Sequence, residues 1–217
     1  MLIVFEGIDG SGKSKQSELT YKYLKDKKTR CILTREPTDG PIGMIIRRVL
    51  EEDMEFDPYS FQLLFTADRA YHINTLIRPT IENDTAVISN RYVLSTIAYG
   101  MAAGLDKKWL IDMNSKFPEP DITFIFDLKP EEAMDRIHRR AVKFVEKTVR
   151  YGHSDLITNK KERRGTEFFE KVEFLKKVRE HYRQMAMGKK NVHLIDASKD
   201  INEVQKEVRK RIERIMI

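Results

Sequence analysis

Cysteine is almost missing from this chain. The single example, Cys31, rules out an internal disulfide and a cysteine-built metal cluster. It lies in the apolar run Cys31-Ile32-Leu33, which predicts a buried structural thiol. No segment approaches the ~18 uninterrupted apolar residues of a membrane span. The opening Met1-Leu2-Ile3-Val4-Phe5 is short for a secretory leader and has no basic lead-in, so the expectation is a cytoplasmic protein with no membrane partner. Internal repeats and low-complexity tracts are lacking, as is any linker long enough to separate one domain from another. The histidines at 72, 138, 153, 181 and 193 share no metal-ligand spacing and read as structural or surface residues.

What is present is a chain of 217 residues, long enough for one domain spanning 1–217 with a mobile subregion. Apolar residues make up 41% and can fill a core, while 34% are charged. The formal net charge is +6 and the isoelectric point about 9.2. That balance fits a polyanionic partner, either nucleotide phosphates or nucleic acid, and equally a solvated surface with a small positive excess.

Short apolar runs alternate with helical patterns. Leu2–Phe5, Cys31–Thr34, Ala86–Ile88, Ile122–Phe126 and Val192–Ile195 read as buried strands. Helices are expected from about Lys13 to Lys25, from Pro41, from the Asp57-Pro58 start towards Pro79, and from Pro130. The residues Phe168, Val172, Leu175, Val178, Tyr182 and Met185 recur at helical spacing, as do Ile201, Val204, Val208, Ile212 and Ile215. The predicted class is α/β, a five-stranded parallel sheet flanked by helices, with ligands beyond the carboxyl ends of the strands.

One motif falls just past the first strand. Gly7-Ile8-Asp9-Gly10-Ser11-Gly12-Lys13-Ser14 fits G-x-x-x-x-G-K-[ST] between a buried strand and a helix, the context of a P-loop. Its glycines let backbone amides wrap a phosphate, Lys13 sets a compact charge on the β- and γ-phosphates, and Ser14 offers a hydroxyl to magnesium. ATP and Mg2+ are the implied ligands. A P-loop does not name the phosphate acceptor.

Further segments carry a resemblance. Phe5 to Ser14, Thr34-Arg35-Glu36-Pro37, Leu64 to Ala70, Asn90-Arg91-Tyr92 with Ser95 and Ala98-Tyr99, Pro120 to Thr123, and the late Phe174-Leu175, Val178-Arg179 and Tyr182 together resemble the thymidylate kinase family in order and spacing. The likeness covers nearly the whole chain. It implies a P-loop three-layer fold with a mobile lid, ATP and thymidylate (dTMP) as substrates, and a homodimer through sheet-flanking helices, for which the Tyr92–Met101 helix is a candidate. By resemblance, Arg35 and Glu36 belong to the acceptor side, and Arg35 and Arg91 hold the acceptor phosphate. Phe65 and Arg69 meet the thymine, and Ser95, Thr96 and Tyr99 lie near sugar and base. Asp9 accepts from the sugar 3′-hydroxyl. Read from the residues alone, an arginine fork suits a phosphate but also a surface ion pair, and Phe65 suits a core as well as a base.

Two positions depart from the family pattern. Asn90 stands where an aspartate is usual, still able to hold a magnesium-bound water, and Gly100 stands where glutamine is frequent. The expectation is that Gly100 vacates part of the acceptor pocket and widens the acceptor range. The cation-rich stretch from Arg136 to Arg164, about 136–165, is the lid candidate. With no arginine in the phosphate loop, the resemblance assigns catalytic arginines to the lid, Arg139 and Arg140 first, then Arg150, Arg163 and Arg164. A solvated charged helix is the plain alternative. Two other functions stand beside thymidylate phosphorylation: another monophosphate kinase of wider range, and a non-catalytic P-loop protein that senses ATP or binds nucleic acid.

Overall fold

The computed structural model describes residues 1–51, 56–139 and 164–216, the side chains of 164–170 excepted. Among them five strands form one parallel sheet in the order β2-β3-β1-β4-β5. These are β1 (Leu2–Gly7), β2 (Cys31–Arg35), β3 (Ala86–Asn90), β4 (Ile122–Asp127) and β5 (Val192–Asp196). Each runs one or two residues beyond its apolar stretch, because ladder bonds continue after the side chains turn polar.

Those last residues sit side by side. Arg35 and Phe5 are each in register with Asn90, Gly7 pairs with Phe126, and Asp127 pairs with Asp196. Both faces of β1 are covered, with Ile3 and Phe5 in one apolar cluster and Leu2 and Val4 in another, beside Ile73, Ile77 and Tyr92. Two-sided burial explains why the strand reads as a continuous apolar run rather than an alternation.

The helices are α1 (Lys13–Asp26), α2 (Pro41–Glu51), α3 (Pro58–His72), α4 (Arg78–Glu82), α5 (Val93–Ala102), α6 (Lys107–Asn114), α7 (130–139), α8 (Arg164–Ala186) and α9 (Ile201–Ile215). Asp57 caps α3 as its sequence suggests, accepting from the Ser60 amide at 3.0 Å. Pro79, however, does not end that helical run. A π-turn over Ile73–Ile77, in which the Arg78 amide reaches back to Ile73, shifts the bonding pattern just ahead of the proline. Pro79 then enters the first turn of α4, where its missing N–H is harmless.

Helix α6 has no clear periodic signature. Its signal is local, Asp106 capping the Trp109 amide at 2.7 Å. Cys31 is buried, and burial raises its thiol above the ordinary value. The apolar side of α5 is also internal: the helix packs against α8, α6 and α3, and Ile97, Ala98 and Ala102 are buried. Its partly exposed apolar side chains are Val93, Leu94 and Met101. Exposed apolar side chains cluster on α2 (Met44, Ile45, Leu50) and α3 (Tyr59, Leu63). None of the described helices is long and apolar enough to cross a membrane.

Candidate active site

The strand-to-helix turn after β1 builds the first half of the site. Gly10 has φ 82°, and a Cβ there would lie 2.4 Å from the Ala133 carbonyl oxygen, so only glycine fits between the loop and α7. Gly12, at φ 99°, is the N-cap of α1 and brings no side chain to that helix end, leaving the first-turn amides to serve an anion. Lys13 is buried, its ammonium 2.8 Å from the Ile8 carbonyl and 3.9 Å from Asp9 Oδ1. The loop lines a cavity of about 1000 Å³ together with Asn90, Arg91, Arg136, Lys171, Lys199 and Ile201.

Lys171, Lys199 and Ile201 carried no site signal in the sequence beyond following β5 or lying on α8. The Asp196-Ala197-Ser198 loop also flanks this cavity. Arg136 donates to the Ala197 carbonyl at 3.0 Å, Ser198 closes onto Asp196, and Asp200 is the cap of α9.

The magnesium question turns on Ser14 and Asn90. Asn90 Nδ2 donates to Ser14 Oγ at 2.9 Å, and Asn90 Oδ1 is a buried oxygen with no hydrogen-bond partner. A hydroxyl beside an unused amide oxygen suits a hard cation that takes oxygen ligands and keeps most of its waters. The described residues hold no group of three acidic, histidine or cysteine side chains that could cage a metal alone. The pair therefore fits magnesium shared with phosphate oxygens.

Arg91 follows β3 and is the hub of the site. Its backbone is left-handed, φ 77°, an uncommon state for a residue with a Cβ. Its guanidinium donates to Asp9 Oδ1 at 2.6 Å, to Ser95 Oγ at 2.8 Å and to Tyr99 Oη at 3.3 Å. The positive charge of Arg91, helped by Lys13, holds the Asp9 carboxyl down at about 2 from an ordinary 3.8. Burial pushes the Tyr99 phenol up.

On the outer side, Arg35 is largely exposed and pairs with Asp39 at 2.9 Å. It lines a second cavity of about 500 Å³ that shares Ser14, Glu18 and Asn90 with the first. Arg35 and the phosphate loop thus face each other across one common wall.

Glu36, Arg69 and Thr96 form a buried network that reaches the second cavity through His72. Arg69 donates to Glu36 at 2.6 Å, to Thr96 at 2.9 Å and to Asn114 at 2.7 Å, while its Nε has no partner. The rings of Tyr92 and Phe117 lie 5.3 and 6.0 Å from its guanidinium carbon. Glu36 also meets His72 Nδ1 at 3.1 Å, and His72 Nε2 meets Thr34 Oγ1 at 2.8 Å. Phe65 is half-buried and packs edge-on against the equally half-buried Phe61 at 4.9 Å, outside the buried core clusters.

Gly100 does not vacate a pocket. A Cβ there would meet Leu110 Cδ2 at 2.6 Å, so the position is filled by α6 packing on α5. Arg139, the last described residue on α7, is exposed. Arg140, Arg150 and Arg163 lie outside the described residues, as does most of the 136–165 stretch, and Arg164 opens α8.

Known proteins are similar in sequence over nearly the whole chain. A family model described as thymidylate kinase matches residues 5–208. A protein of Thermococcus kodakarensis named "Probable thymidylate kinase" is 36% identical over 224 aligned residues, covering 100% of this chain and 98% of its own length. A protein of the same name from Sulfolobus acidocaldarius is 38% identical over 209 residues, covering 95% and 93%. Another from Pyrobaculum aerophilum is 36% identical over 214 residues, covering 99% and 97%. Matched by that family model over residues 5–208 and by these relatives over 95–100% of its length, with its phosphate loop, Arg35 and Asn90-Arg91 set along one sheet edge, the chain belongs to the thymidylate kinase family.

Proposed function

We propose that this protein transfers the γ-phosphoryl group of ATP to thymidylate, producing dTDP and ADP. The observation that carries this reading is the shared wall: Ser14 and Asn90 border both the phosphate-loop cavity and the cavity that holds Arg35. A triphosphate gripped on one side and a monophosphate on the other meet there. The family membership and the names of the relatives support thymidylate as the acceptor.

In this reading the backbone of Gly7, Ile8, Asp9, Gly10, Ser11 and Gly12 cradles the donor phosphates, and Lys13 neutralises charge that develops on them. Arg35 and Arg91 present the acceptor phosphate. Its attacking oxygen is already anionic near neutrality, since a phosphate monoester has a second pKa of about 6, so no residue has to remove a proton. Positioning and charge neutralisation then suffice.

Phe65 offers a ring face to the base. Glu36, Arg69 and Thr96 shape the floor beneath it, and Ser95 and Tyr99 hold Arg91 on the sugar side. Asp9 takes the sugar hydroxyl once Arg91 turns to phosphate. Ser14 and Asn90 hold magnesium, which when bound spreads the charge of the β- and γ-phosphates. The cationic stretch 136–165 serves as the lid over one kinase domain spanning 1–217, with Arg139 and Arg140 supplying charge to the transferring group and excluding water. The exposed apolar faces of α2 and α3 suit a homodimer. The basic surface serves nucleotides rather than nucleic acid, in the cytoplasm.

The test is ADP release measured against dTMP, dUMP, dCMP, dGMP and AMP, for wild type and Lys13→Ala. Thymidylate is expected to give the fastest turnover, and Lys13→Ala to lower kcat by about a hundredfold or more. ADP release that ignores the added monophosphate would instead mark an ATP-sensing protein. Equal rates with AMP would mark a broader kinase.

A further inference from the structure

Glu6 takes no part in the chemistry above, yet it is fully buried one residue before the phosphate loop. Its carboxylate collects four hydrogen bonds. Oε1 accepts from the backbone amides of Tyr92 at 2.9 Å and Ser95 at 3.2 Å, and Oε2 from Ser95 Oγ at 2.5 Å and Tyr182 Oη at 3.0 Å. Two of these donors are the amides of Tyr92, next after Arg91 and the N-cap of α5, and of Ser95 in its first turn. The third, Ser95 Oγ, is the same oxygen that accepts from the Arg91 guanidinium at 2.8 Å. Glu6 therefore grips the chain just beyond Arg91 and orients the hydroxyl that holds the Arg91 side chain.

The backbone of Arg91 needs such a grip. Its left-handed φ of 77° is strained for a residue with a side chain and persists only where neighbours over-determine it. On the near side, the Arg91 amide donates to the Phe5 carbonyl at 2.8 Å, and its own carbonyl accepts from Ser89 Oγ at 2.8 Å. On the far side the work falls to Glu6.

Tyr182 extends the grip to α8. Three residues earlier on that helix, Arg179 makes a two-pronged contact to Asp127 at the end of β4, at 2.5 and 2.9 Å. The helix is thus fastened to the ligand edge of the sheet at two points, one of which reaches Arg91 through Glu6 and Ser95.

We propose that Glu6 is a positioning residue for phosphoryl transfer, holding Arg91 in its left-handed conformation and aiming its guanidinium over the phosphate loop, with Tyr182 linking this clamp to α8. The inference rests on the reading of Arg91 as the acceptor-phosphate ligand. A carboxylate suits the position because it accepts on both sides and donates on neither. An amide in its place would face Ser95 Oγ and Tyr182 Oη with an NH2, which can accept neither hydroxyl proton, and the orientation of Ser95 towards Arg91 would be lost.

The experiment is a double-mutant cycle on thymidylate binding, read by titration calorimetry, with ATP binding as control. Glu6→Gln is expected to weaken thymidylate binding roughly tenfold or more, the scale of a lost charge-assisted contact. ATP affinity should stay within about twofold, because Arg91 meets the loop at the Asp9 carboxylate and the Gly7 carbonyl rather than at Lys13 or the phosphate-facing amides. In an Arg91→Met background the further effect of Glu6→Gln should fall below about twofold. Tyr182→Phe keeps the ring and should show the same pattern at smaller size, carrying the cycle if Glu6→Gln fails to fold.

Equal losses in both backgrounds would overturn the proposal. So would a parallel loss of ATP and thymidylate affinity, or no loss at all. Wild type that fails to bind thymidylate, or Arg91→Met that binds it undiminished, would instead strike the functional reading beneath.

Discussion

Arg69→Met is the substitution whose outcome the structure bounds most closely. Arg69 and Glu36 have side chains only 1% and 3% exposed, with 2.6 Å between them. Methionine approximates the stem but leaves Glu36 with the His72 contact alone, and leaves Thr96 and Asn114 without their donor. Removing one partner of a buried ion pair costs roughly 3–5 kcal/mol, because the remaining charge stays desolvated. For a chain of this size each kcal/mol moves Tm by about 2–4 °C, so the expected fall is about 6–20 °C.

Urea titration monitored by circular dichroism gives the free energy, and a thermal scan the Tm. Adding Glu36→Gln should return about half of the loss, since the unpaired charge is what costs most. Two results refute this reasoning: Arg69→Met within about 2 °C of wild type, or a Glu36→Gln penalty that adds in full to that of Arg69→Met. In the first case the arginine would be a ligand contact and not a structural keystone.

Three further outcomes rest on single contacts. Asn90→Asp places a carboxylate beside Ser14 Oγ. Half-saturating magnesium in the kinase assay should fall by roughly tenfold, the scale on which groups behind a metal's ligands act, and an unchanged magnesium dependence would count against the Ser14–Asn90 site. Gly100→Ala drives a methyl to 2.6 Å from buried Leu110. Overpacking costs about 1–3 kcal/mol and helix propensity returns just under ~1; Tm should drop by several degrees with acceptor preference unchanged, and a widened range would revive a pocket role. Asp9, with its carboxyl lowered to about 2 from 3.8, contributes stability that is fully present above about pH 4 and is lost as pH falls through about 2. Since that side chain is 62% exposed, the contribution is below about 1 kcal/mol. Asp9→Asn should shift acid unfolding only slightly, and a shift of several kcal/mol would show the pair to be far less screened than its exposure implies.

Much of the candidate site was legible because phosphate chemistry is local in sequence. A nest of amides needs consecutive residues, so Gly7 to Ser14 announces itself. Arg35 ends β2 and Arg91 directly follows β3, and the carboxyl edge of a parallel sheet gathers whatever stands at the ends of its strands. Residues that act across the fold left no such mark. Glu6 stood in a motif without a role, since its partners Tyr92, Ser95 and Tyr182 lie far away along the chain. His72 looks like a stray histidine in the sequence and proves to be a neighbour of Glu36. Gly100 misleads because only the packing of α6, itself without a clear periodic signal, shows what fills the space beside it.

The amino-acid order by itself determined the strand-and-helix alternation, the phosphate loop and the family, because each depends on residue types at short, regular spacing. The tertiary structure alone decided which carboxylates and arginines pair, that Arg91 is held left-handed, and that the two cavities share Ser14 and Asn90. Those features arise from side chains brought together by sheet register and helix packing. Desolvation and strain act between neighbours in space, and neither is written in the spacing of residues along a chain.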